Sequence, residues 1–279
     1  MKQRILVAVI GAPALIAVLA AAPEWATFVL LWLLSLIGAH ELLAAVCGSQ
    51  KAARWTGLAG ALAAFTLVTV YWSDEDFAGS ALPVLGEFFL AAMLVLLFAT
   101  AIVEYGGRHP MTFRDICAIL VSGVAIPLSF GCLLLLRLMP DGGGLALIPL
   151  VAAFCSDSAA LFTGMACGRH KLAPHVSPKK TVEGAIGGLV GGMLGMVIFR
   201  VIFYFCTVRA LHIGWCIALG LLGAIMGQLG DLSFSLIKRE FGIKDYGRLL
   251  PGHGGVLDRF DSVLFAAPVV WLVICHVPL

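Results

Sequence analysis

The chain has 279 residues, 61% of them hydrophobic and only 12% charged, with a mean hydropathy of +1.03. A soluble domain averages about 25% charged residues, so a soluble fold is excluded, and continuous rather than alternating apolar runs exclude a β-barrel. The formal net charge of +2 gives no sign of nucleic-acid binding, because the basic residues sit in short loops and not on a polar domain.

Taken in chain order, the apolar runs predict membrane spans near 5–22, 25–46, 55–72, 81–103, 116–138, 145–167, 184–206, 213–237 and 262–278. Each holds about 17–25 residues, enough to cross ~30 Å of hydrocarbon at about 1.5 Å per residue. The expected fold is an all-α polytopic integral membrane protein of about nine transmembrane helices. Eight remain possible, because Pro23 and Glu24 leave almost no loop between the first two runs and the last is short. Lys2 and Arg4 precede the first run, and Ala20 to Pro23 faintly resembles a signal-peptidase site. An apolar run of roughly 18 residues is long for a signal segment, so a retained first helix is expected.

Residues 1–103, the N-terminal transmembrane helices, hold few polar groups in their spans apart from His40, Glu41 and Glu87. Such isolated groups are read as interhelical packing glue. Residues 104–279 form the expected catalytic transmembrane region, with polar loops at 168–183 and 238–261. Placing the N-terminus in the cytoplasm puts 15 of the 18 Lys and Arg residues on that side, both polar loops included. The eight cysteines form no C-x-x-C pair and mostly fall in apolar runs, where they serve as small packing residues. The glycines from Gly184 through Gly195 are read as close helix packing.

The chemistry concentrates in the two loops and the spans beside them. Residues 235–261 read SLIKREFGIKDYGRLLPGHGGVLDRFD, mixing five cations with carboxylates and glycines. Cations and glycine backbone suit phosphate, and carboxylates suit a hard metal such as Mg²⁺ that bridges phosphate oxygens. A solvated cytoplasmic loop would account for the Lys and Arg, but not for the glycines or interleaved carboxylates. Asp231, Ser235, Lys238 and Arg239 follow at helical spacing on one stripe, carboxylate deep and cations shallow. Asp258 and Asp261 face one direction if the last helix starts there. Asp157, between Ser156 and Ser158, is a second intramembrane acid and a functional candidate. In the loop GRHKLAPHVSPKKTVEG, Pro174 and Pro178 bar a continuous helix, leaving an ordered loop or a broken helix. Lys179 and Lys180 then stand ahead of a helix beginning near Thr181, an arrangement suited to an anion.

Together the two loops resemble the phosphatidate cytidylyltransferase family, the CDP-diacylglycerol synthases. The residues that carry the resemblance are Ser235, Lys238-Arg239, Lys244-Asp245, Gly247, Pro251, His253-Gly254-Gly255 and Asp258-Arg259-Phe260-Asp261. Upstream, Asp157-Ser158, Gly164, Ser177-Pro178-Lys179-Lys180-Thr181, Glu183-Gly184 and Gln228-x-Gly230-Asp231 also look like the family. Leu161 and Val182 depart from it, where an aromatic and a bulkier residue are common. The resemblance implies transfer of CMP from CTP to phosphatidate, giving CDP-diacylglycerol and pyrophosphate with Mg²⁺. It implies Asp231, Asp258 and Asp261 as metal ligands and Asp157, Lys238, Arg239 and Asp258 as catalytic groups. Ser177, Lys179, Lys180, Ser235, Lys244, His253, Gly254, Gly255 and Arg259 are then expected to bind substrate. The expected setting is a bacterial plasma membrane with the site facing the cytoplasm, and the family implies a homodimer. A CTP-dependent lipid kinase acting on a polyprenol or phytol is the competing enzyme, disfavoured by the intact HGG-x-x-DRFD run. An anion-coupled transporter is disfavoured by the lack of a two-half repeat.

Overall fold

The structure, a computed structural model, describes residues 2–48, 57, 60–61, 64, 82–107, 110–207, 211–247, 249 and 254–276. In chain order the helices are α1 (Lys2–Ala21), α2 (Glu24–Cys47), α3 (Leu82–Glu104), α4 (Phe113–Leu120), α5 (Ile126–Leu138), α6 (Gly142–Leu145), α7 (Ile148–Cys167), α8 (Val182–Thr207), α9 (Ile213–Glu240) and α10 (Leu257–His276). A single π turn, Val121–Ala125, joins α4 to α5. Five helical stretches among the described residues are long and apolar enough to cross a membrane: Glu24–Cys47, Phe113–Leu138, Gly142–Cys167, Val182–Thr207 and Ile213–Glu240. Shorter apolar helices run over Gly11–Ala21 and Ala91–Glu104. The protein is an integral membrane protein built of helices. The expected span 55–72 lies almost wholly outside the described residues.

Two neighbouring apolar helices in lipid gain nothing from burying hydrocarbon, so close approach depends on small residues. The glycines of α8 supply it. A Cβ on Gly191 would strike Ala159 of α7, and one on Gly195 would lie 2.6 Å from Cys155 Cβ. One on Gly192 would lie 2.8 Å from the Gly220 carbonyl of α9. Helices α7, α8, α9 and α10 thus pack as one antiparallel unit, with α5 and α2 against α10. One buried core joins Leu31 and Leu42 of α2, Phe130 and Leu134 of α5, and Leu257, Phe260 and Val263 of α10. A second core lies toward the far end, around Ile148, Phe199, Phe203, Leu219 and Val270.

The chain order of that unit brings the C-terminal ends of α7 and α9 to the same end as the N-terminal ends of α8 and α10. Both polar connections therefore emerge together. Of the two expected alternatives, an ordered loop or a broken helix, the first connection is the ordered one. It is an antiparallel hairpin of β1 (Lys171–Ala173) and β2 (Ser177–Thr181), with Lys171 opposite Thr181 and Ala173 opposite Ser177. Pro178 bars helix but is tolerated in a two-stranded ribbon, where each strand is an edge. Glu183 anchors the hairpin's entry by accepting from the backbone N–H groups of Arg169 (3.1 Å) and His170 (3.2 Å) and from His170 Nδ1 (2.6 Å). Thr181 Oγ1 accepts from the Gly184 N–H at 3.1 Å and so caps α8.

Candidate active site

Beneath the two connections opens a cavity of about 1370 Å³ with two kinds of wall. Toward α1, α2 and α7 it is apolar, lined by Leu15, Val18, Leu30, Leu34, Ile37, Phe154, Leu161 and Met165. Toward the hairpin and the start of α10 it is ionic. Lys179, Lys180, Lys238 and Arg259 face it there, together with Asp157, Asp231, Asp245, Asp258 and Asp261. Eight of the sequence-predicted site residues thus share one cavity, although Asp157 and Asp261 are 104 positions apart.

The carboxylates divide into two groups. Asp157, Asp231 and Asp261 lie close enough to repel one another. Asp231 pairs with Lys180 of β2 and accepts from Ser235 Oγ (3.2 Å), one helical turn along α9. Asp157 Oδ2 accepts from Ser262 Oγ at 3.0 Å, and Asp261 Oδ1 from the Ser262 N–H at 2.8 Å. Ser262 is buried and so fixes an acid of α7 beside an acid of α10.

Asp258 differs. Its Oδ1 accepts from Lys238 Nζ (3.0 Å), and its Oδ2 from the N–H groups of Tyr246 (2.8 Å) and Gly255 (2.9 Å). Only 3% of its side chain is exposed. Three of a carboxylate's roughly four lone-pair positions are filled, so Asp258 ties the end of α9 to the connecting loop and to its own helix. Gly254 adopts φ +87°, and a Cβ there would lie 2.7 Å from Asp258 Oδ2. Tyr246, in the same loop, donates its hydroxyl to the Phe234 carbonyl at 2.9 Å. Burial, then the charges of Asp258 and Asp261, raise its phenol far above the usual range, which keeps it a neutral donor.

The expected stripe on α9 is split by these contacts. Asp231 and Lys238 face the cavity, whereas Arg239 is exposed and donates Nε–H to the Val176 carbonyl at the hairpin tip (3.1 Å). Ser177, Ser235, Lys244, Gly254 and Gly255 do not line the cavity, although Ser235 donates to Asp231 and Gly255 to Asp258, which do. His253 lies outside the described residues, as do Arg248 and Pro251. Glu41 of α2, read from the sequence as interhelical packing glue, does join two helices. Its carboxylate accepts from the N–H groups of Val256 (3.0 Å) and Leu257 (2.9 Å), at the very start of α10. An acid alone in an apolar span was the signal for it. Gln228, part of the motif at Asp231, donates to the Ala185 carbonyl of α8 at 3.0 Å.

The family model for the cytidylyltransferase family matches residues 2–277. Among similar proteins is the phosphatidate cytidylyltransferase of Bacillus subtilis (strain 168), 34% identical over 190 residues and 67% of each chain. Those of Staphylococcus saprophyticus and Staphylococcus haemolyticus are 30% identical over 88% and 32% identical over 86% of each chain. With a match over nearly its whole length, and an ionic pocket joined to an apolar one, the chain belongs to the cytidylyltransferase family.

Proposed function

We propose that the protein is a phosphatidate cytidylyltransferase, which transfers CMP from CTP to phosphatidate and releases pyrophosphate and CDP-diacylglycerol. The observation that carries this reading is the continuity of the ionic and apolar walls in one cavity. A nucleotide needs the first, and a diacyl lipid needs the second. In the reaction a phosphate oxygen of phosphatidate bonds to the α-phosphorus of CTP while the bond to the bridging oxygen of pyrophosphate breaks. That oxygen is already anionic at neutral pH, so no strong base is required. The task is to align two polyanions and neutralise the departing charge.

The residues suit that task. Lys179 and Lys180 of β2 and Arg259 of α10 reach the cavity from different elements and can hold phosphates on different sides. Lys180 would exchange its Asp231 partner for phosphate, which would leave Asp231 free to hold a cation. Leu161, one of the departures from the family pattern, is a cavity-wall residue and bears on acyl-chain fit.

Five carboxylates against four cations make a poor seat for two polyanions unless a further positive charge joins them. Among the described residues no group of three or more His, Cys, Asp or Glu is arranged to hold a metal ion alone. Mg²⁺ commonly takes one or two carboxylates and completes its shell with substrate phosphates and water, and the cavity fits that mode. Asp231 and Asp261 would hold it, with Asp157 alongside, and Asp258 would contribute through its remaining lone pair. The ion would supply positive charge on the reacting phosphates.

The same reading gives nine spans with the N-terminus and the ionic end in the cytoplasm of a bacterial cell. The distribution of Lys and Arg supports that orientation. The enzyme is a homodimer in the plasma membrane, a state supported by the family resemblance. The deciding experiment incubates purified protein with labelled CTP, phosphatidate and Mg²⁺. Lipid-linked CMP is expected; lipid phosphate with release of CDP would indicate a kinase instead.

A further inference from the structure

We propose that Glu41 is a positioning residue of the active site, holding from α2 the turn that presents Asp258, Arg259 and Asp261 to the substrates. This rests on the cavity being the active site. The N-terminus of α10 leaves N–H groups that need acceptors, and the residues just before it, Gly255 and Val256, offer no side-chain oxygen. The two oxygens of Glu41 fill that role from 215 and 216 residues away. A carboxylate at a helix N-terminus is favoured by charge and by hydrogen bonding together, and more so away from water.

The packing is built around that contact. Glu41 is 6% exposed, and Val256 and Leu257 are 2% and 0% exposed. Gly38, one turn earlier on the same face of α2, lets Leu257 approach, where a Cβ would lie 3.1 Å from Leu257 Cδ2. A Cβ on Gly247 or on Gly255 would collide with the Glu41 carboxylate. The two successive glycines 254 and 255 thus clear space for two different acids, Asp258 and Glu41. Asp258 fixes the turn to α9, and Glu41 fixes it to α2. Removing Glu41 leaves the cavity-lining residues in place chemically but frees the first turn of α10 to shift.

The test uses the full-length protein in detergent with Glu41→Gln, Glu41→Ala and, as a control outside the site, Glu24→Gln, an exposed acid at the other end of α2. Each charge-assisted hydrogen bond is worth about tenfold, so kcat should fall about 10-fold in Glu41→Gln, which keeps one acceptor, and about 100-fold in Glu41→Ala. KM for CTP and for phosphatidate should change little, and hydrogen exchange should quicken in residues 254–262 while α7 and α8 stay protected. Glu24→Gln should match wild type. Unchanged kcat in both Glu41 variants, or a rise in KM alone, overturns the proposal. So does loss of protection throughout the molecule in both variants, which would make Glu41 a general packing residue. Failure of the wild-type protein to form lipid-linked CMP would instead count against the assigned reaction, independently of the exchange result.

Discussion

Lys238 and Asp258 form an ion pair whose side chains are 13% and 3% exposed, and replacing Lys238 alone strands a charge. Lys238→Met keeps the aliphatic stem and removes the ammonium, leaving the Asp258 carboxylate its two backbone N–H donors without the Lys238 charge. Breaking one side of a buried pair costs about 3–5 kcal/mol. At about 2–4 °C per kcal/mol, thermal unfolding in detergent should come roughly 6–20 °C earlier than in wild type. The pair between Lys180 and Asp231 is the internal comparison. Its side chains are 26% and 27% exposed, and solvent screening reduces it to about 0–1 kcal/mol. Lys180→Met should therefore melt within about 4 °C of wild type while losing activity. The double variant Lys238→Met/Asp258→Asn removes both charges and should recover more than about half of the lost melting temperature, without activity. The assay is thermal unfolding followed by tryptophan fluorescence, with CMP transfer measured on the same preparations. A Lys238→Met protein that melts with wild type, or a double variant less stable than the single, would refute the reasoning from burial.

Asp231→Asn and Asp261→Asn should each lower kcat by several orders of magnitude with near-normal expression; retention of more than about half of wild-type kcat at saturating Mg²⁺ in both would remove them as metal ligands. For sidedness, single cysteines at Lys171 and at His212 occupy opposite ends of the α7–α10 unit. With the eight native cysteines replaced, a membrane-impermeant thiol reagent should label only the His212→Cys protein in intact cells, and the reverse pattern would overturn the cytoplasmic site. Lys179→Ala should raise KM for one substrate with kcat retained, whereas Arg239→Ala unties the hairpin tip from α9 and should lower kcat as well. Equal increases of both KM values in both variants would end that division of labour.

Much of the site was legible because its residues are near one another in sequence. Asp231, Ser235 and Lys238 share a helical face, and their order along α9 follows from 3.6 residues per turn. The glycines and acids of 252–261 form one short motif, and the prolines of 174 and 178 excluded helix without naming what replaced it. The hairpin was not legible, since strand pairing of Lys171 with Thr181 depends on backbone hydrogen bonds that no local periodicity records. Arg239 carried the residue type of a phosphate ligand, yet its partner is a carbonyl 63 positions away.

The sequence by itself determined that this is a helical membrane protein, that its polar chemistry lies in two loops, and that those loops match a nucleotidyltransferase pattern. Charge and hydropathy are additive along a chain, so these conclusions needed no folding. Only the tertiary structure decided which acids face the cavity together and which one, Asp258, is tied down by three donors. It alone joined Glu41 of α2 to the start of α10. A buried carboxylate takes whatever donor the packing brings to it, and that choice is made across helices rather than along one.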